Sequence, residues 1–275
     1  RPFDPYSYKD LIYSVKPGYA RSMLYLLNYP HHKPNIRKIQ LWKKANPMVS
    51  NQFEESKKYL EADTNRRLQL TLPQARIDIV TPPNLTSIRL GLINSDFPTG
   101  PLEPDTMRAV IKNPAYWAFC WGSGLAAASH VLENPKLVKG KTVCDLGCGS
   151  GVVAIAAKKA GAKKVWACDI DEDALAATKL NSHLNNVELE LIQNLEDLPE
   201  NVNLMFLADV LYDKNNYPLI DRGLEHAEEL LITDSRIGAL ADQRFKIFKK
   251  MNMLTYPNLG EFEEYKDVTF FISGT

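Results

Sequence analysis

The feature that most constrains this chain is a glycine-rich turn at the end of a hydrophobic run. Residues 143–151 read Val-Cys-Asp-Leu-Gly-Cys-Gly-Ser-Gly, and the next apolar run ends at Asp169. Glycine lacks a Cβ, so the backbone at Gly147, Gly149 and Gly151 can turn sharply and approach a ligand closely. A carboxylate that closes the next strand can accept hydrogen bonds from both hydroxyls of a ribose. Together these residues predict a site for an adenosine-containing cofactor.

The spacing of the glycines separates the possible cofactors. A dinucleotide-binding turn reads Gly-x-Gly-x-x-Gly, and Val152 stands where its third glycine would fall. A P-loop needs Gly-Lys followed by Ser or Thr, which residues 151–153 lack. A carboxylate at Asp145 would repel phosphate but suits a cationic sulfonium and an ammonium group. The turn therefore favours S-adenosylmethionine, and a turn that only allows close strand-to-helix packing is the alternative.

Composition is that of an ordinary globular protein with an uneven distribution of charge. The 275 residues are 45% hydrophobic and 24% charged, with a formal net charge of zero. This length suits one α/β domain of about 200 residues with an appendage. Residues 1–70 carry 13 Lys or Arg against 6 Asp or Glu, together with ten aromatic residues. The amino-terminal quarter is therefore basic and aromatic-rich.

Cysteine usage and hydropathy bear on the cell compartment. Four cysteines occur at spacings that match neither a zinc site nor a disulfide scaffold: Cys120, Cys144, Cys148 and Cys168. We expect them to be small buried hydrophobic residues in a reducing compartment. The sequence has no apolar stretch of about eighteen residues for a membrane span, and its start resembles neither a signal nor a transit peptide. A cytoplasmic location is expected, although numbering from Arg1 leaves a removed leader open.

Beyond residue 140, short apolar runs alternate with helical patterns, as in a parallel sheet. Strands are predicted at residues 141–146, 164–168, 188–193, 204–208 and 229–233, helices at 152–160, 172–185, 217–228 and 238–250, and β-like runs at 251–256 and 266–272. This order predicts a doubly wound, Rossmann-like α/β sheet of seven strands. Its ligand crevice should lie beyond the carboxyl ends of the strands, which are followed by Gly147, Asp169, Asn194 and Asp209.

The amino-terminal part reads differently. Residues 1–75 are predicted to form a mainly helical extension, with helices at 35–45 and from about 50 to 67. A Pro-Pro turn and an alternating segment at 85–93 then predict a strand that leads into the main domain, residues 76–275.

The exit of the fourth predicted strand is the candidate acceptor site. Residues 207–213 read Leu-Ala-Asp-Val-Leu-Tyr-Asp. Asp209 there could orient or desolvate an amine, and Tyr212 could line the channel through which the amine enters. Methyl transfer needs alignment, a deprotonated nucleophile and the exclusion of water, and whether Asp209 accepts the proton or steers the cation is open. In the structural alternative, Asp209 caps the following helix while Tyr212 packs on the sheet edge.

Two further segments are candidate contacts. Four aromatic residues precede an apolar helix, and they could cover the cofactor, line the acceptor channel or plug the sheet edge: Tyr116, Trp117, Phe119 and Trp121. The Asp234-Ser-Arg236 stretch after the fifth strand could supply an acceptor contact or a helix cap.

These motifs together resemble the seven-β-strand protein-lysine methyltransferases, most of all the electron-transfer-flavoprotein β-subunit lysine methyltransferase branch. The resemblance covers roughly residues 85–275 and rests on the Tyr-Trp-Ala-x-x-Trp segment, the Asp-Leu-Gly-x-Gly-x-Gly turn, Asp169-Ile-Asp171, Ile192-Gln-Asn194 and Asp209-x-x-Tyr212. It implies cofactor contacts by Gly147, Asp169 and Asn194, with Trp117 near the cofactor and Asp209 and Tyr212 at the acceptor. Relatives commonly have Trp-Pro-Gly where this chain has Trp121-Gly-Ser.

The full predicted site has two parts. Methyl transfer is assigned to Asp209 and Tyr212. Binding of S-adenosylmethionine is assigned to Asp145, Gly147, Gly149, Gly151, Asp169, Ile170, Asn194, Ala208, Trp117 and Trp121. No metal site is predicted.

The acceptor is left open among three classes. Protein lysine is favoured, methylation of a small amine or heterocycle is compatible with the same core, and a basic extension could target RNA or protein. The third interpretation rests on residues 1–70, where Arg37, Lys38, Lys43 and Lys44 flank Trp42; basic and aromatic residues together can follow a phosphate backbone. A protein substrate, a monomer and no membrane association are expected.

Overall fold

A computed structural model describes residues 47–274 of the protein. The helix predicted at 35–45 and the basic cluster around Trp42 lie outside the described residues. The chain divides into two units between residues 62 and 63, and the site described below lies entirely in the second. The domain boundary predicted after residue 75 remains a prediction.

The described residues form six α-helices and nine β-strands. The helices are α1 (Pro47–Thr71), α2 (Pro104–Lys112), α3 (Gly122–Glu133), α4 (Val152–Lys159), α5 (Glu172–Leu184) and α6 (Pro218–His226). The strands are β1 (Ile77–Val80), β2 (Leu90–Ile93), β3 (Thr142–Leu146), β4 (Lys164–Cys168), β5 (Glu190–Ile192), β6 (Leu204–Ala208), β7 (Leu230–Asp234), β8 (Phe245–Asn252) and β9 (Asp267–Ser273). Short 3₁₀ turns connect several of them, including Tyr116–Ala118.

Seven strands form one sheet in the order β5-β4-β3-β6-β7-β9-β8. Strands β3 to β7 pair in parallel, and β9 is inserted antiparallel between β7 and β8. Because β3 lies between β4 and β6, the strand order reverses there, and ligands of open α/β sheets bind at such a reversal. The predicted doubly wound, seven-stranded fold class is confirmed.

Side chains that alternate along the central strands are buried on opposite faces of the sheet. Val143 and Phe206 belong to one core cluster, which includes residues of α3 and α4. Cys144 and Met205 belong to a second cluster, which includes Ile220 of α6. Burial on both faces explains why these strands read as continuous apolar runs. All four cysteines are buried.

The helix predicted at residues 238–250 is wrong, because β8 occupies much of that segment. Phe245, Phe248 and Met251 recur at intervals of three, which imitates the period of a helix. In the structure these residues do not share one face: Phe245 packs against one core cluster and Met251 against the other, because a β-bulge shifts the pairing with β9 between Ile247 and Lys249. A bulge inserts one residue into a strand and so disturbs its two-residue alternation.

The boundaries of two other predicted elements differ less from those in the structure. The segment predicted as a strand at 85–93 pairs only over β2, which forms a separate two-stranded sheet with β1. The helix expected from about residue 50 is α1, which begins at Pro47. Within residues 47–274, every helix is too short or too polar to cross a bilayer.

Candidate active site

The glycine loop that follows β3 adopts the backbone conformation that its sequence predicted. Gly147, Gly149 and Gly151 have φ angles of +73°, +51° and +74°, a region that residues with a Cβ rarely adopt. A Cβ on Gly147 would lie 2.6 Å from Cγ2 of Val210, and one on Gly151 would lie 2.7 Å from Cγ2 of Thr178. A Cβ on Gly149 would meet no atom of the described residues within 4 Å. The loop is therefore packed at both ends and open in the middle.

Helix α5 ties the loop down through two polar side chains. Thr178 Oγ1 donates to the carbonyl of Gly149 at 3.0 Å, and Asn181 Nδ2 donates to the carbonyl of Ser150 at 2.8 Å. The Oδ1 atom of Asn181 also accepts from the backbone N–H of Gly91 at 2.7 Å. Neither side chain was predicted from the sequence. Their signal was two polar residues one turn apart on a helix face that is otherwise buried.

Asp169 joins the end of β4 to the glycine loop. Its Oδ2 accepts from the backbone N–H of Gly149 at 2.9 Å, and its Oδ1 accepts from that of Asp171 at 3.0 Å. Parallel neighbours end at the same edge of a sheet, which brings these two predicted residues together. Burial raises the pKa of Asp169 above its usual range, while the two backbone hydrogen bonds lower it. A carboxylate offers about four acceptor positions, so positions remain for ribose hydroxyls.

Asp145 lies beneath the loop and does not line it. The residue is 1% exposed, and its Oδ2 accepts from the backbone N–H of Ala154 in the first turn of α4, at 2.9 Å. Burial raises the pKa of Asp145 to about 7. In this conformation the carboxylate caps the first turn of α4, and its predicted contact with the cofactor remains a prediction.

The remaining predicted cofactor residues are distributed along the same sheet edge. Ile170 is 83% exposed beside Asp169, and Asn194 is exposed after β5, where its backbone N–H and Nδ2 both face Asp197 Oδ2 at 3.3 Å. Ala208 is the partly buried last residue of β6. Trp117 is 2% exposed and belongs to a core cluster with Leu68, Ala174 and Ala177. It thus plugs a helix interface, and its contact with the cofactor stays a prediction.

Asp209 is held at the amino terminus of α3. Its Oδ1 accepts from the Ser123 hydroxyl at 2.6 Å and its Oδ2 from the Ser123 backbone N–H at 2.9 Å. Asp209 therefore caps a preceding helix, not the following one that the structural alternative named. Its side chain is 5% exposed, and its φ of +53° is tolerated better by Asp and Asn than by most residues. Burial raises the pKa of Asp209 to about 6 against the lowering effect of the Ser123 hydrogen bonds.

A row of aromatic rings flanks Asp209. Tyr116 lies edge-on to Tyr212 and to Trp121, with ring centres 5.8 Å apart in each pair. The indole Nε1 of Trp121 donates to the carbonyl of Tyr116 at 2.8 Å. Tyr116 and Tyr212 are each about half exposed, so the row presents aromatic surface to an incoming molecule.

Arg236 lies close both to Asp209 and to Trp121 of the aromatic row. Its Nη1 is 3.7 Å from Asp209 Oδ1, and its Nη2 is 3.9 Å from Glu261 Oε1. The guanidinium carbon lies 4.7 Å from the ring centre of Tyr265 and 5.8 Å from that of Trp121. Glu261 and Tyr265 belong to the segment between β8 and β9, and no local motif marks them in the sequence.

The donor side fits an adenosyl cofactor. The backbone at Gly149 is open to a ligand, Asp169 retains acceptor positions for a ribose, and exposed Ile170 offers an apolar surface for an adenine ring. The sheet order, the glycine loop and the acid after β4 define the class I, S-adenosylmethionine-dependent methyltransferases.

The comparisons with known proteins agree with this class and narrow it. Residues 127–216 match the family described as Ribosomal protein L11 methyltransferase (PrmA). The chain is 33% identical over 206 residues to the electron transfer flavoprotein beta subunit lysine methyltransferase homolog of Caenorhabditis elegans, covering 65% of this chain and 83% of that protein. We conclude that the chain belongs to the electron transfer flavoprotein β-subunit lysine methyltransferase family, which confirms the resemblance seen in its motifs.

Two further matches are shorter. The chain is 44% identical over 103 residues to the human electron transfer flavoprotein beta subunit lysine methyltransferase, which is 36% of this chain and 39% of that protein. The chain thus spans about two fifths of the human relative's length. The crystal structure of ribosomal protein L11 methylase from Lactobacillus delbrueckii is 27% identical, with a TM-score of 0.41, over 54% of this chain and 75% of that one.

Proposed function

We propose that this protein transfers the methyl group of S-adenosylmethionine to the side-chain amine of a lysine in a protein substrate. The observation that carries the proposal is the buried carboxylate of Asp209, which lies at the end of β6 beside a half-exposed aromatic row. A lysine side chain matches both features, because its ammonium head is cationic and its methylene stem packs well on aromatic rings.

The donor half is assigned to the residues around the glycine loop. When bound, S-adenosylmethionine supplies a methyl carbon that is activated by a positively charged sulfur. The backbone at Gly147, Gly149 and Gly151 would hold it, with Asp169 at the ribose and Ile170 at the adenine. Asn194, Ala208 and Trp121 complete the proposed contacts.

The acceptor half is assigned to Asp209 and Tyr212. Asp209 attracts the ammonium of the incoming lysine, while Tyr212 and its aromatic neighbours flank the stem and exclude water. The amine must lose a proton before it can attack. A carboxylate whose pKa is raised to about 6 is a better proton acceptor near neutral pH than an exposed one, because general bases work best when their pKa approaches the operating pH.

The names of the relatives supply the first substrate to test. We propose the β subunit of an electron transfer flavoprotein as the acceptor, since the related proteins from human and C. elegans carry that substrate in their names. Ribosomal protein L11 is the second candidate, because residues 127–216 match that family. A monomeric state and a cytoplasmic location, both expected from the sequence, belong to the same proposal.

The test uses the purified full chain with radiolabelled S-adenosylmethionine. Four acceptors are offered in parallel: the flavoprotein β subunit, L11, total cellular RNA and free lysine. We expect label in the β subunit, with peptide mass spectrometry locating the methyl groups on lysine side chains. Label confined to RNA or to a small amine would contradict the proposal.

A matched pair of variants ties that activity to the proposed site. Asp209→Asn should lose the labelling, whereas Asp213→Asn should retain it. Asp213 lies in the same exit segment but is exposed and only caps the short turn Lys214–Asn216. Equal loss in both variants would contradict a specific role for Asp209.

A further inference from the structure

Arg236 places a guanidinium 3.7 Å from the carboxylate to which an acceptor lysine would come. We propose that Arg236 is a positioning residue for methyl transfer, whose fixed positive charge beside Asp209 keeps a bound lysine from being held as unreactive ammonium. This inference rests on the proposed function and adds a residue that acts through Asp209.

Several contacts hold the guanidinium in place. Glu261, itself largely buried, lies 3.9 Å from Nη2, the ring of Tyr265 lies under the guanidinium carbon, and Ser235 Oγ is 3.4 Å from Nη1. The backbone of Arg236 is also fixed, because its N–H donates to Asp234 Oδ1 at 2.7 Å. These contacts come from the end of β7 and the segment between β8 and β9, so the charge is part of the folded site.

Arg236 and Asp209 are close enough to interact as charges but too far apart for a direct hydrogen bond. At 3.7 Å the guanidinium lies beyond the usual hydrogen-bonding range of roughly 2.7–3.2 Å. Asp209 Oδ1 receives its short hydrogen bond from Ser123 instead. An amine can therefore approach Asp209 without first breaking a direct hydrogen bond to Arg236.

The charge balance shows why a fixed cation matters at this site. The charged and titratable groups around Arg236 are Asp209, Asp234, Glu261, Tyr212 and Tyr265. Without Arg236, the three carboxylates would favour the ammonium form of a bound lysine. An opposite or like charge within a few ångströms shifts a pKa by about one to three units. The carboxylates therefore raise the pKa of the bound amine, and the guanidinium lowers it.

The chemistry requires this balance. The ammonium must release one proton, to Asp209 or to water, before its nitrogen has a lone pair. That lone pair then forms the nitrogen–carbon bond, while the carbon–sulfur bond breaks and its electron pair stays on sulfur. A site that holds lysine too firmly as a cation would bind the substrate well and turn it over slowly.

The test is the pH dependence of kcat with saturating acceptor and methyl donor, because kcat reports the ionisations of the bound complex. Arg236→Gln should move the acidic limb of the profile to higher pH by about one unit. Arg236→Lys, which keeps the charge, should restore the limb most of the way. Glu261→Gln should move the acidic limb to lower pH, because less negative charge then offsets the guanidinium. The glutamine oxygen can still accept the hydrogen bond that the Thr255 backbone N–H now donates to Glu261.

Opposite shifts from Arg236→Gln and Glu261→Gln are the decisive result. A purely structural role, or a direct contact between Arg236 and the substrate, would lower kcat or raise KM without moving the limb, and would overturn the inference. Shifts in the same direction would also overturn it. Binding of S-adenosylhomocysteine and the unfolding temperature show whether each variant is folded, and if Arg236→Gln is not, Glu261→Gln carries the test.

The proposed function is tested separately from this inference. A wild-type chain that methylates no lysine would overturn the proposed function before any variant is compared. A wild-type chain that does methylate lysine, with an unchanged profile in Arg236→Gln, would overturn only the role of Arg236.

Discussion

The donor and acceptor sides of the site lie at the ends of neighbouring strands, but their carboxylates are held in different ways. On the donor side, Asp145 and Asp169 accept from the backbone N–H groups of Ala154, Gly149 and Asp171. All of these residues belong to one strand–helix–strand unit. On the acceptor side, Asp209 is held by Ser123, 86 positions away in the chain, and by the charge of Arg236.

This difference separates a general function from a specific one. Backbone groups in a contiguous motif hold the two donor-side acids, and two side chains of the next helix, Thr178 and Asn181, hold the glycine loop. The acceptor site depends on side chains from four segments, each of which can change independently. Within a fold that supports many substrates, we expect substrate choice to be set mainly on the acceptor side.

The most severe test of the donor side is Gly147→Arg. The new side chain would meet Val210 at 2.6 Å from its Cβ, at a φ of +73°. Backbone strain and overpacking each cost about 1–3 kcal/mol, and a loop displaced by that strain should bind S-adenosylhomocysteine at least about thirtyfold more weakly in calorimetry. Gly100→Ala is the matched control, because a Cβ there meets no described atom within 4 Å. Unchanged affinity in Gly147→Arg would remove the loop from the cofactor site.

Asp209→Asn separates the two sides. Asparagine tolerates the left-handed backbone at this position but carries no charge. We expect kcat to fall about a hundredfold, as for the loss of a general base, while affinity for S-adenosylhomocysteine changes less than about twofold. Steady-state kinetics and calorimetry measure the two quantities. If the variant loses cofactor affinity as well, the division into a donor and an acceptor side does not hold.

Asp145→Asn tests whether the buried donor-side acid costs stability. The pKa of Asp145 is about 7 in the folded protein and about 3.8 as the ordinary value. Between those values the folded state keeps a proton that the unfolded state has released, so this residue makes the free energy of unfolding fall as pH rises. The variant should flatten that fall by about 3 kcal/mol between pH 4 and pH 7. Denaturant unfolding at several pH values measures it, and parallel curves for both proteins would contradict the assigned burial.

The smallest expected effect on the donor side is that of Ile170→Ala. Because Ile170 is 83% exposed, its truncation should leave the unfolding temperature nearly unchanged. If its side chain covers the adenine, lost apolar contact should weaken binding of S-adenosylhomocysteine about tenfold. Equal affinity in the variant and the wild type would place the adenine elsewhere. The similarly exposed residue Ile111 provides the matched control, Ile111→Ala.

The elements that were predicted correctly share a local cause. The strand that ends at Asp145-Leu146, the turn at Gly147 and the acid at Asp169 are each marked by residues close together in the chain. Few other residues can replace a glycine with a positive φ, so such positions can be recognised from a single sequence. Strand β8 was missed because a bulge in its pairing with β9 disturbs the two-residue period on which strand prediction depends.

The site residues divide in the same way, into those that a local motif marks and those that only tertiary contacts bring to the site. The sequence of one strand exit marks Asp209 and Tyr212, but it indicates the wrong helix as the alternative partner of Asp209. Neither Glu261 nor Tyr265 was a candidate, because both are ordinary residues in a connecting segment. Trp117 and Trp121 look equivalent in the sequence, yet one is buried among α1 and α5 residues and the other belongs to the exposed row.

What the sequence alone determined is the doubly wound fold class, the glycine loop and the class of cofactor, because these follow from steric limits and periodicities within short stretches. What only the tertiary structure decided is the electrostatic setting of the acceptor. The ionisation of Asp209 depends on its burial, on the α3 terminus that it caps and on the charge of Arg236. Charges act through space, so their balance is set by distances that exist only once β6, β7 and the segment before β9 have packed together.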